Sequence, residues 1–197
     1  RAALWTHNGE ALIVAKRPGH LKLQLLDDFG QPQNQYLISQ GRFQLYEALD
    51  QKWYTGKASN ETLLKHLNFD LSPQELTLIL TGGVPLEPHY RVFFAPRKGP
   101  LRTLQLIGLT SSITLHPQTM LPKTLILKNF DGKTRLKIEY FYSSELPERY
   151  FPNMIRASLK KTLHLTLKFI ETNLNAKLDK KHFKLDLPKT MVPQPLP

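Results

Sequence analysis

The chain has 197 residues, 41% hydrophobic and 10% aromatic, which excludes a disordered polymer and suffices for a sizeable core. It has no cysteine, so disulfides, thiol nucleophiles and thiolate metal sites are excluded. The formal charge is +11, and over residues 123–189 Lys and Arg outnumber Asp and Glu by fifteen to seven; such a field suits an anionic partner and equally a solvated basic surface.

The amino end, Arg1-Ala2-Ala3-Leu4-Trp5, has the composition of a strand interior and predicts a processed or truncated start. Strand signals then dominate. Leu21, Leu23 and Leu25 alternate with Lys22 and Gln24, and the strand runs into a tip, Asp27-Asp28-Phe29-Gly30. Phe43 and Leu45 alternate with Arg42, Gln44 and Tyr46, and a further strand ends at Trp53-Tyr54-Thr55-Gly56. Period two means one apolar and one wet face, the pattern of an antiparallel sheet solvated on one side. Asn8-Gly9, Gln40-Gly41 and Asp131-Gly132 offer the positive φ that tight hairpins need.

Two helices interrupt the strands. Ser59 is a natural N-cap for the first, which carries Leu63, Leu64 and Leu67 on one face. Ser72-Pro73-Gln74-Glu75 opens the second with a capping box and a proline at the first helical position. Leu76, Ile79 and Leu80 make its apolar face, and Gly82 suits its stop.

Beyond the helices, Leu104 and Leu106 alternate with polar neighbours, as do Leu136, Ile138 and Tyr140. A weak helical signal lies over 153–161. Alternation returns over 163–169 and at Phe183, Leu185 and Leu187. Residues 188–197 include four prolines and predict an extended tail. Roughly nine to eleven strands therefore share two short helices as cover. Either two sheets pack face to face, or one sheet curls until it nearly closes and leaves an apolar hollow.

Catalytic patterns are missing. The seven histidines are scattered, no Gly-x-Ser-x-Gly elbow occurs, and Thr81-Gly82-Gly83 lacks the lysine of a phosphate loop. No motif for a cofactor or a metal stands out. Asp27-Asp28 reads as a pair of turn formers.

The order of elements over residues 21–86 resembles the LolA/LolB-like superfamily. The matching features are a strand ending in Phe29-Gly30, a hairpin over 35–38 and 42–49, a leucine-bearing helix over 61–67, and a second helix over 71–83. Downstream, Leu121-Pro122-Lys123-Thr124-Leu125 with Asp131-Gly132 and Leu136-Lys137-Ile138 resembles that family's late hairpin. The resemblance implies a mainly β (α+β) fold: a strongly curved antiparallel half-barrel with a short helical lid. It implies one domain over 1–187, with 145–187 as a C-terminal extension carrying extra strands, and a proline-rich tail over 188–197.

It further implies a non-catalytic protein that shelters lipid or lipoprotein acyl chains. The lining would come from Leu23, Leu25, Phe43, Leu45, Leu63, Leu64, Leu67, Leu76, Ile79 and Leu80. Phe29 takes the place of the family's exposed, membrane-inserting tip leucine. The implied location is the periplasmic face of the bacterial outer membrane, as a lipoprotein whose signal and anchor lie outside this sequence. Partners would be an acylated lipoprotein or lipid and an anionic membrane surface, with no nucleic acid and no cofactor. Two features depart from the family: the length beyond Ser144, and the acidic pair before the tip. The alternative function is a lipid-free binding or assembly module of the outer membrane using the basic C-terminal region. A nucleic-acid binder has only the high pI and the Tyr140-Phe141-Tyr142 run in its favour.

Overall fold

The computed structural model describes residues 9–95, 103–143, 150–159, 163–188 and 190–197. The chain divides into two compact units, Arg1–Thr77 with Ala176–Pro197, and Leu78–Asn175. The Asn8-Gly9 turn falls partly outside the described residues.

The first unit is built on β1 (Ala11–Lys16), β2 (His20–Leu26), β3 (Pro32–Ser39), β4 (Arg42–Glu47) and β5 (Lys52–Lys57). They pair in sequence order, all antiparallel. Gln40 and Gly41 both take positive φ, 52° and 73°, and close the two-residue β3–β4 hairpin as the sequence predicts. The next element, α1 (Asn60–Leu67), is capped by Ser59, whose hydroxyl accepts from Thr62 N at 3.3 Å. Asn68, at φ 57°, ends it in the left-handed region.

Helix α2 (Pro73–Leu80) opens with the expected capping box. Ser72 N donates to Glu75 Oε2 at 2.7 Å, and Glu75 N donates to Ser72 Oγ at 3.1 Å. The division between the units falls within this helix, after Thr77.

The second unit holds β6 (Arg91–Ala95), β7 (Thr103–Ile107), β8 (Ser111–Leu115), β9 (Pro122–Lys128), β10 (Thr134–Tyr142), β11 (Pro152–Leu159) and β12 (Leu163–Lys168). They form one antiparallel meander in chain order. Ile113, Leu125 and Ile138 lie opposite one another in register and are buried, as are Leu127 with Leu136 and Ile155 with Tyr140. Gly82, at φ 73°, stops α2, and a Cβ there would come within 2.8 Å of Pro152. The chain leaving α2 is tied down by Glu87. Its carboxylate accepts from Leu109 N, Thr110 N and Ser111 Oγ at 2.6, 3.0 and 2.6 Å. Burial pushes that carboxyl up, but these bonds outweigh it and hold it below the usual range.

Two local expectations change. The helical signal over 153–161, of which 160 and 161 lie outside the described residues, gives way to β11: it pairs with β10 and β12, Ile155 and Ala157 are buried, and Arg156 between them is exposed. Pairing on both edges overrides a weak propensity. The alternation at Phe183, Leu185 and Leu187 is not a strand. A 3-10 turn, Lys180–His182, precedes Phe183, and the segment crosses the polar side of the first sheet. The tail runs beside the first sheet, where β13 (Gln194–Pro195) adds to β5 as a parallel edge.

The protein is thus mainly β, with two antiparallel-rich sheets and two short helices. Among the described residues neither sheet closes into a barrel.

Candidate functional site

The register of the first sheet sorts its side chains cleanly. Leu21, Ile38, Phe43 and Gly56 lie side by side across β2 to β5, and Leu23, Tyr36, Leu45 and Tyr54 form the next row. Of the residues expected to line an acyl site, Leu23, Leu25, Phe43 and Leu45 therefore share one face. Phe43 is fully buried, Leu25 and Leu45 are buried, and Leu23 is half-buried. Tyr36 sits beside Phe43 at 6.3 Å between ring centroids. Burial, with the nearby Glu47 charge, pushes its hydroxyl up to about 12.

Helix α1 covers this face. His66 stacks on Phe43 at 5.6 Å, and Leu63 is fully buried. Burial, helped by the Lys65 charge, moves the His66 imidazole below its ordinary range. Leu67, four residues after Leu63, shares its side of the helix and is half-buried. Leu64 lies about 100° further round the helix; it is 45% exposed. Leu76, Ile79 and Leu80 are buried along one side of α2. Leu76 belongs to the first unit, and Ile79 and Leu80 to the second.

Alternation sends Trp53 and Tyr54 to opposite sides. Tyr54 joins the apolar row with Leu45, whereas Trp53 Nε1 donates to Gln44 Oε1 at 3.2 Å on the polar face. The tail returns to the apolar side. Leu196 lies against Gly56, where a Cβ would clash with it, and Lys65 of α1 donates to the Pro197 carbonyl. Sequence reasoning did not connect the tail with β5; Gly56 inside a strand was the signal of a close approach.

Phe29 is 89% exposed. The carboxylate of Asp27 explains how it is held. It accepts from Phe29 N at 2.9 Å and Gln31 N at 2.8 Å, and Gly30 turns the chain at φ 75°. Asp27 thus builds the turn that presents the aromatic ring. A second tip repeats the device in the other unit. Phe130 is 87% exposed, Asp131 accepts from Lys133 N at 3.1 Å, and Gly132 has φ 80°. The Phe130-Asp131-Gly132 string was visible as a turn, but its aromatic was passed over.

Comparisons with known proteins agree with this geometry. A LolA superfamily protein from Nitrosomonas europaea superposes with a TM-score of 0.55 at 11% identity, covering 89% of this chain and 81% of its own. A domain from Vibrio parahaemolyticus assigned to outer membrane lipoprotein sorting superposes at 0.53 and 12% identity, covering 87% of this chain and 78% of its own. The chain has the LolA-superfamily fold. At such identities the likeness is one of fold, the one implied by the order of elements in the sequence. No family model and no curated protein matches the sequence.

Proposed function

We propose that this protein is a non-catalytic binder of acyl chains, carried by a lipid or a lipoprotein, in the bacterial cell envelope at the periplasmic side of the outer membrane. The observation that carries the reading is the register-aligned apolar face of β2 to β5, closed by one eight-residue helix. The LolA-superfamily fold supports it, as does the lipoprotein-sorting assignment of the Vibrio relative.

The energetics are favourable. An isolated helix as short as α1 is marginal, so its order depends on what it packs against. The fully buried Leu63 contributes ~1.5–3 kcal/mol, and the half-buried Leu67 less. A sixteen-carbon acyl chain is worth on the order of 12 kcal/mol at ~0.8 kcal/mol per CH₂. An acyl chain can therefore take the place of α1 against Phe43 and Leu45. Phe29 would serve as a membrane contact of ~1.5–3 kcal/mol. Such a contact is reversible and needs basic residues or an anchor beside it.

Native mass spectrometry and solvent extraction of protein purified from a bacterial envelope test the proposal. Co-purifying acyl species, or saturable binding of a palmitoylated peptide, are expected. Protein that is consistently empty and has no affinity for acylated peptides refutes it, and leaves the lipid-free module on the basic C-terminal region.

A further inference from the structure

The opposite face of the first sheet is built for something else. Lys16 pairs with His20 across β1 and β2, Ser39 pairs with Arg42, and Arg42 pairs with Lys57 across β4 and β5. Three cations and an imidazole thus line one end of the polar face. Like charges placed directly opposite, as Arg42 and Lys57 are, oppose pairing unless an anion lies between or beside them.

The C-terminal segment 176–187 crosses this face and adds to the same charge. It is fastened by Asp186. The Asp186 carboxylate accepts from Lys22 Nζ at 2.8 Å and Gln24 Nε2 at 3.2 Å. Phe183 anchors it further, buried and edge-on to His20 at 5.4 Å. Between strap and sheet lies a cavity of about 740 Å³. Lys16 and Arg42 line it from the sheet, and Lys180 and Lys184 from the strap.

None of these four cations has a carboxylate partner among the described residues. Lys16 donates to the Leu178 carbonyl instead. The lone carboxylate of the lining, Asp179, is already engaged. Desolvation pushes its carboxyl up, but the bond from Lys181 N at 2.9 Å, Lys181 Nζ at 3.3 Å and His182 Nδ1 at 2.9 Å together outweigh it and hold the group below the usual carboxylate range. Neutral donors complete the wall: Ser39, Gln40 and Gln44. His20 Nδ1, in the same lining, is enclosed with no hydrogen-bond partner, which is uncommon for a buried polar atom.

We propose that this cavity is a binding site for a polyanionic, phosphate-bearing group. One carboxylate would leave most of the charge uncompensated. Two phosphate charges or more match an arginine fork, three lysine ammonium groups and a hydroxyl. The site lies on the face opposite the apolar rows and stands whether or not those rows carry an acyl chain.

Titration calorimetry of the full chain with inorganic pyrophosphate tests it. Saturable binding at one equivalent per chain is expected, weakening as salt is raised, because salt screens the exposed charges that line the site. Lys180→Gln with Lys184→Gln should weaken it about tenfold, through the loss of two exposed charges. Arg42→Gln does the same from the sheet without touching the strap. Lys123→Gln on the other unit leaves binding unchanged. Competition from phosphatidic acid vesicles, against phosphatidylcholine vesicles as control, assigns the group to a membrane headgroup; its absence assigns it to a soluble phosphate compound. No saturable binding, indifference to both cavity variants, or tighter binding of a single-stranded oligonucleotide than of pyrophosphate overturns the proposal.

Discussion

The two faces of the six-stranded first sheet carry opposite chemistries. On one, Phe43, Leu45, Ile38 and Leu21 are buried under α1. On the other, Lys22, Gln24, Gln35 and Gln44 form hydrogen bonds, three of them to Asp186 of the strap or to its neighbours. Both faces are covered by short segments, so coverage does not separate them. What separates them is the kind of contact. The apolar face is held by burial, which any greasy surface can replace. The polar face is held by directed bonds between named partners, which a hydrocarbon cannot replace.

That contrast can be broken by matched substitutions. Phe43→Ala should cost ~3–5 kcal/mol, because a fully buried ring is lost from a packed core. Gln44→Ala, one residue away on the other face, should cost only ~0.5–1.5 kcal/mol for the bond to Trp53. Denaturant unfolding measures both, and equal losses would erase the distinction. Asp186→Asn comes next. It strips the carboxylate from Lys22, whose side chain is 10% exposed, at ~1–3 kcal/mol. Limited proteolysis should then cut within 176–187 first, with the apolar side intact.

Gly56→Ala probes the apolar side more gently. The new methyl group displaces Leu196 of the tail, at about 1 kcal/mol, the low end for overpacking. The variant should bind a fluorescent fatty acid faster than the parent, because the tail leaves the apolar row.

The smallest effect is in pH. His66 in the folded chain has its affinity for protons lowered by burial against Phe43. The unfolded chain therefore binds more protons in that range, and stability rises with pH there. The contribution is complete above the ordinary imidazole value of about 6.5 and is lost as pH falls towards the folded value. Melting temperature against pH should show a shallow decline on the acid side, absent in His66→Gln.

Much of this was legible in the chain because it is local. Alternation through Leu21 to Leu25 and Arg42 to Tyr46 places side chains on faces without reference to anything distant. Ser59 and the Ser72–Glu75 box act within one helical turn. What stayed hidden depends on contacts between remote parts of the chain. The strap reaches Lys22 from 164 positions away, and Phe183 and Leu185 look like strand residues until Asp186 is seen to choose that partner. The tail's place on β5 rests on Gly56 and Leu196, which no periodicity links. Helical spacing predicts one face for Leu63, Leu64 and Leu67, but one residue turns the helix by about 100°, which leaves Leu64 45% exposed beside the buried Leu63. Asp27 looked unfavourable for a membrane tip; its two backbone bonds make it the residue that presents Phe29.

The acyl-binding reading is tested most directly by photo-crosslinking with a diazirine-bearing palmitoyl peptide, followed by mapping of the labelled residues. Labels at Leu23, Phe43, Leu45 and the Leu63 side of α1 are predicted, with little at Lys22, Gln44 or Lys184. Labelling confined to the polar face and its strap, or no saturable labelling at all, would contradict it.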